Sequence, residues 1–191
     1  MRIVQLANFY SPTSGGLRTA VDTIGRGYLA AGHERVLIRP GKRRSEIETD
    51  DGLVITLKGL PISGGYRMVA RPASIRRALA RLRPDSVEVS DKATMATAGD
   101  WARANNRKAV LFSHERLDTW LAARLTLLRN GRLESLVARW NRRLAGRFDT
   151  VVVTSAFAAA EFRELGVDNL ICVPLGVDLA TFRPRDQWHD G

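Results

Sequence analysis

Apolar positions along the chain fall into short continuous runs, separated by longer stretches of helical period. Residues 3–7, 36–38, 53–57, 86–89, 109–112, 150–153 and 170–173 form the runs. They read as strands, and their near-continuous hydrophobicity is that of strands covered on both faces. Between them, residues 17–31, 74–83, 93–105, 120–147 and 155–165 carry apolar side chains at helical intervals. Gly32 and Gly166 are placed to end the first and last of these helices, and Pro40-Gly41 to stop the second strand. The 120–147 stretch is one helix or two, interrupted near Asn130-Gly131. Its stripe of Trp120, Leu121, Leu125, Leu128, Leu133, Leu136, Val137, Trp140 and Leu144 reads as core rather than as a ligand cage. Residues 42–51 are polar and charged and read as a loop, and residues 58–71 as a long glycine-containing loop.

Strands alternating with helices predict an α/β fold, a mostly parallel sheet with helices on both faces. In such sheets ligands collect beyond the carboxyl ends of the strands. Three segments share that address: the turn holding Gly15-Gly16, Ser90-Asp91, and Ser113-His114-Glu115.

The first of these has the most chemical content. A strand, a turn with paired glycines and a helix start aim backbone N–H groups at an anion. Without a Cβ, Gly15 and Gly16 let a phosphate approach the main chain, and Arg18 adds positive charge beside the helix start. The spacing fits neither G-x-G-x-x-G nor G-x-x-x-x-G-K-[ST], which disfavours a simple dinucleotide site or a P-loop. A plain tight turn is the competing reading.

Charge widens the list of partners. Thirty Lys+Arg against twenty Asp+Glu give a formal charge of +10 over 191 residues. That excess favours something anionic: nucleic acid, phosphorylated sugars or an acidic lipid surface. Nucleic acid is the weakest of these, because the basic residues are spread over several helices with no helix-turn-helix, zinc or RNP-like motif. On the 74–83 helix, Ile75, Leu79 and Leu82 can face a core while Arg76, Arg77, Arg81 and Arg83 take the other side. That face is either solvated or touches anionic lipid. The single cysteine, Cys172, sits in an apolar run and reads as a buried, inert thiol, and no disulfide is possible within the chain. No apolar run has the length of a membrane span, and the amino terminus enters a strand without a signal-peptide core, so a cytoplasmic setting is expected.

Two ends of the sequence then fit one family. Residues 4–10, Ser14-Gly15-Gly16-Leu17-Arg18-Thr19-Ala20-Val21-Asp22, Ser113-His114-Glu115-Arg116-Leu117-Asp118 and the Pro174-Leu175-Gly176-Val177-Asp178…Phe182-Arg183-Pro184 segment carry the likeness. Together they resemble the amino-terminal, Rossmann-like domain of GT-B glycosyltransferases of family 4, in particular bacterial mannosyltransferases acting on phosphatidylinositol mannosides. The resemblance implies retaining transfer of a sugar from a nucleotide donor, GDP-mannose, to a lipid-linked acceptor, with no cofactor or metal ion, at the inner face of the cell membrane. It implies that Gly15 and Gly16, with Arg18 beside them, meet the donor diphosphate and that His114, the catalytic candidate, contacts the donor sugar. Tyr66, Arg67, Arg71 and Asp91 are the candidates for acceptor contacts, and Arg76, Arg77, Arg81 and Arg83 for the membrane surface. Residues 1–178 are expected to form the acceptor-side domain and 179–191 the exit segment and a polar tail. The family's carboxyl-terminal donor-binding domain is not expected within this chain. Alone, the domain is expected to bind donor weakly and turn over little, and a separate carboxyl-terminal domain is a possible partner. The rival reading is a non-catalytic module that binds anionic lipid or a protein.

Overall fold

A computed structural model describes residues 1–11, 15–113 and 131–176. Its main sheet has eight strands. In chain order they are β1 (Arg2–Leu6), β2 (Glu34–Gly41), β3 (Ser45–Thr49), β4 (Gly52–Lys58), β7 (Ser86–Val89), β8 (Lys108–Ser113), β9 (Thr150–Val153) and β10 (Leu170–Cys172). Their spatial order is β10-β9-β8-β7-β1-β2-β4-β3. Every pairing is parallel except β3 with β4. The described helices are α1 (Gly16–Ala30), α2 (Pro72–Leu82), α3 (Thr97–Ala104), α4 (Gly131–Ala145) and α5 (Ala156–Arg163).

The alternation of strand side chains divides the core in two. Val4, Leu6, Val36, Ile38, Val87, Val89, Leu111, Val151 and Val153 point to one face and pack with apolar residues of α2, α3, α4 and α5. The other face is where α1 lies, over the small cluster Ala7, Val21 and Leu37. Helices therefore cover both faces, as the alternating pattern predicts. The α1 face also holds polar side chains: Gln5, Arg35 and Glu88 are each at most 2% exposed.

Several local expectations are corrected. The polar stretch 42–51 contains a strand, β3, paired antiparallel with β4. Its Glu46 and Glu48 are exposed, and charge on an outermost strand discourages further pairing, so the segment looks like a loop by composition. β2 runs on through Pro40 and Gly41, where its remaining strand neighbour is β4, an edge-like setting that tolerates proline. The loop 58–71 contains a small hairpin, β5 (Leu60–Pro61) with β6 (Arg67–Met68), closed by a 3-10 turn over Ser63–Gly65. The third helix starts as a 3-10 turn at Thr94–Ala96 before α3 proper. Cys172 is exposed, because β10 is the last strand of the sheet and its Ile171 is open as well. Leu136 and Trp140 are 59% and 40% exposed, whereas Val137, Leu144 and Asn141 form the buried face of α4. The buried face of α4 is thus narrower than the apolar stripe predicts. Trp120, Leu121, Leu125 and Leu128 and all of 177–191 lie outside the described residues.

Candidate functional site

The sheet order reverses between β1 and β7. From β1 the chain moves to β2 on one side, and from β7 to β8 on the other, which opens a crevice at the carboxyl ends of this pair. Asn8 and Asp91, each just past the end of its strand, close the floor of that crevice. The Asn8 amide nitrogen donates to Asp91 Oδ2 at 2.8 Å and to Thr94 Oγ1 at 2.9 Å. Its oxygen accepts the N–H of Val69 at 2.9 Å, which ties in the segment after β6. Asp91 Oδ1 accepts from the N–H of Ala93 and Oδ2 from the N–H of Met95, so this carboxylate starts the turn into α3. Burial pushes its pKa up, against those hydrogen bonds. Asp91 is therefore at the rim as expected, with both oxygens held by the protein.

The Gly15-Gly16 turn leads from this rim into α1. Thr19 N–H to Gly15 oxygen is the first hydrogen bond of the helix, so the helix itself cannot satisfy the N–H groups of Gly16, Leu17 and Arg18. Among the described residues no side chain caps this end, and the first turn has no acidic residue. It has Arg18 instead, a cation where the helix dipole disfavours one. A Cβ built on Gly15 or Gly16 would meet nothing within 4 Å, and both residues are exposed. These features together make an open cradle suited to negative charge.

Behind the cradle lies a polar network that sequence reading missed. Tyr10 hydroxyl donates to both oxygens of Asp22 at 2.9 Å, and Arg39 covers the Tyr10 ring at 5.5 Å. Burial, then the Asp22 carboxylate, hold the Tyr10 pKa above its ordinary value. Asp22 also pairs with Arg18 Nε at 3.6 Å and with Arg35 Nη2 at 3.1 Å. Arg35 reaches Gln5, and Gln5 reaches Glu88, which in turn accepts the Tyr28 hydroxyl at 2.5 Å. Burial raises the pKa of both Glu88 and Tyr28. The one available signal was the charge at Arg35 and Glu88, each flanked by strand residues that must be buried.

The other candidates spread out from this rim. Phe9 meets Tyr66 edge to face at 6.0 Å, which brings the hairpin beside the β1 exit. Arg67 spends Nε on the Gly59 oxygen at 3.1 Å. Arg71 is exposed at the start of α2, its carbonyl accepting from Ser74. Arg76, Arg77, Arg81 and Arg83 are exposed on α2 and its end, opposite the buried Ile75, Ala78, Leu79 and Leu82. They are not equivalent: Arg81 pairs with Glu46 of β3 at 2.5 Å, and Arg83 is the left-handed residue that ends the helix. His114 lies outside the described residues, directly after Ser113 of β8. A second buried cluster joins the β7 exit to α4 and α5: Lys92 Nζ is 2.6 Å from Glu161 Oε2, and Asn141 donates to Glu161 Oε1 at 2.9 Å. Among the described residues there is no group of side chains able to hold a metal ion, and no helix long and apolar enough to cross a membrane. A cavity of about 190 Å³ on the opposite rim is lined by Arg103, Arg107, Lys108 and Arg147. Those cations have partners already, in the Gly146 oxygen, Asp85, Asp149 and Asp100 respectively.

Known proteins share this fold. Residues 15–176 match the model of the glycosyl transferase 4-like domain. Over 188 residues the chain is 48% identical to a GDP-mannose-dependent alpha-(1-6)-phosphatidylinositol dimannoside mannosyltransferase, found in two strains of Mycobacterium tuberculosis. The match covers 97% of this chain and 48% of the relative, so the chain spans about half the length of the curated relatives it matches. Among solved structures, sucrose-phosphate synthase from Thermosynechococcus elongatus superposes with a TM-score of 0.74 at 16% identity, over 96% of this chain and 50% of that one. Anabaena HepE in complex with UDP superposes with a TM-score of 0.62 at 15% identity, over 94% and 45%. At these identities the two structures speak for the fold alone.

Proposed function

The chain belongs to the glycosyl transferase 4-like family, and from that membership we infer that it forms the acceptor-side half of a retaining mannosyltransferase cleft. The donor is GDP-mannose, the acceptor a phosphatidylinositol-mannoside-type lipid, and no metal ion takes part. The likeness to the mycobacterial dimannoside mannosyltransferase supports this choice of substrates.

The observation that carries the reading is the open start of α1, with Gly15, Gly16 and Arg18 facing outward and no capping side chain among the described residues. Backbone N–H groups and a guanidinium there can stabilise the charge that builds on a departing nucleoside diphosphate. His114, next after β8, is proposed to hydrogen-bond the donor sugar. Tyr66, Arg67 and Arg71 offer the acceptor an aromatic edge and cations on the neighbouring loop. Turnover needs a donor-binding half to close over the sugar, since these residues supply one wall of the cleft.

Ligand-detected NMR with GDP, UDP and GDP-mannose tests the donor assignment. GDP and GDP-mannose should give a signal that Gly16→Trp removes while the fold persists, because a side chain at Gly16 starts in open space. No signal in the parent, or an unchanged one in the variant, would refute it. The protein is further proposed to sit on the inner face of the cell membrane through α2, with Arg76, Arg77 and Arg83 facing anionic lipid. Flotation should require vesicles with anionic lipid, and equal flotation with neutral vesicles would end that proposal.

A further inference from the structure

Resting on the reading of the Gly15-Gly16 turn as a phosphate site, we propose that Asp22 is its positioning residue, a carboxylate that clasps both ends of the turn. Tyr10 precedes the turn and Arg18 follows it, and both converge on Asp22. The Tyr10 hydroxyl lies 2.9 Å from each carboxylate oxygen, and Arg18 Nε lies 3.6 Å from Oδ2. The clasp is anchored from below by Arg35, whose Nη2 is 3.1 Å from Asp22 Oδ1. That guanidinium is itself fixed: Nε donates to Gln5 at 2.7 Å, Nη1 to the Asp51 oxygen at 2.9 Å, and Nη2 also to the Val21 oxygen at 3.3 Å. Asp22 thus joins the two flanks of the turn to an immobile point in the sheet.

A capping or dipole role does not account for Asp22. It stands beyond the first turn of α1, where the macrodipole has faded. Neutralising Arg35 accounts for one of its contacts but not for Tyr10 or Arg18. Arg39, stacked on the Tyr10 ring, narrows the freedom of that residue further.

Charge balance and positioning predict opposite signs for anion binding. If Asp22 only offsets nearby cations, removing its charge leaves the cradle more positive and an anion binds more tightly. If Asp22 holds Tyr10 and Arg18 in place, removing its grip weakens binding. Asp22→Asn keeps the shape and removes the charge. Tyr10→Phe deletes only the hydroxyl and leaves the buried Arg35–Asp22 pair intact, so that variant remains folded.

The experiment titrates the parent chain and both variants with inorganic pyrophosphate and GDP, following the backbone amides of Gly15 and Gly16 by NMR, with melting temperature recorded alongside. Tyr10→Phe should weaken both anions about fivefold, the worth of one hydrogen bond, while its melting temperature falls by no more than about 2–4 °C, so the chain stays folded. Asp22→Asn should weaken them by at least as much. Tighter or equal binding in both variants overturns the proposal. The amides also report when the parent binds neither anion, an outcome that refutes the phosphate reading itself. The clasp then still requires the Gly15 and Gly16 amides of Tyr10→Phe to shift and exchange faster with solvent, and their staying unchanged overturns it.

Discussion

Two glycines in one helix, two residues apart, should respond to alanine with opposite signs. Gly25 faces the sheet, and a Cβ built there would lie 2.0 Å from Arg35 Nε, 2.3 Å from Cζ and 2.6 Å from Cδ. Ordinary contact begins near 3.4 Å, so the guanidinium must retreat by more than an ångström. An exposed arginine would do so at little cost. Arg35 is 2% exposed and held by Gln5, Asp22, Asp51 and Val21. Retreat stretches bonds of 2.7–3.1 Å past the hydrogen-bond range. Overpacking costs about 1–3 kcal/mol. Weakening a buried ion pair costs up to about 3–5 kcal/mol. The better helix propensity of alanine returns about 1 kcal/mol. Gly25→Ala should therefore destabilise by about 2–4 kcal/mol, or roughly 5–15 °C in melting temperature for a chain of this size. Gly27 is exposed with nothing within 4 Å. There Gly27→Ala should stabilise by about 0.5–1 kcal/mol from propensity alone. Urea and thermal unfolding of the two variants read both signs. If Gly25→Ala also stabilises, Arg35 does not lie against α1 and the Asp22–Arg35–Gln5 network does not form.

Other variants probe separate parts of the molecule. Lys92→Met strips the cation from a carboxylate that is 3% exposed and should cost about 3–5 kcal/mol, only part of it regained in Lys92→Met/Glu161→Leu because the buried Asn141 amide then loses its acceptor; a single variant as stable as the parent would show the pair to be idle. Glu88 is an acid whose pKa burial raises in the folded state, so the folded chain binds its proton more tightly than the unfolded one. Its contribution is present below the ordinary glutamate range and is lost as pH climbs through the raised value. The stability of the parent relative to Glu88→Gln should accordingly fall as pH rises from about 4, and a rising difference would contradict the assigned cause. Cys172, exposed on β10, should react fully with a thiol reagent in the native protein; protection until unfolding would mean that something covers that strand.

Sequence pattern gave the sheet, its parallel pairing and the Gly15-Gly16 turn, because buried strands and helices each impose a period that survives in a single chain. It failed where composition misleads. β3 is a strand whose exposed glutamates look like loop, and Cys172 is an apolar residue on the strand that ends the sheet among the described residues. Asp91 follows from the end of a strand read off the sequence, yet its grip on Asn8 depends on strand order, which no local pattern contains. Asp22, Arg35 and Glu88 come from three elements and meet only through the crossing of α1 over the sheet. Nothing in the spacing of those residues announces the meeting.

The way Asn8 holds the hairpin has a consequence for how freely that hairpin can vary. Its contact is with the main-chain N–H of Val69, not with any side chain of the hairpin. Gly59 marks the other boundary, since a Cβ there would lie 2.8 Å from Pro40. Between these two fixed posts Arg67 is tied within the segment, to the Gly59 oxygen, and Tyr66 touches the β1 exit through the Phe9 ring. Because the Asn8 tie is to main chain, the side chains of the hairpin can change while the tie itself, and the Asn8–Asp91 floor at the β1 and β7 exits, stay in place.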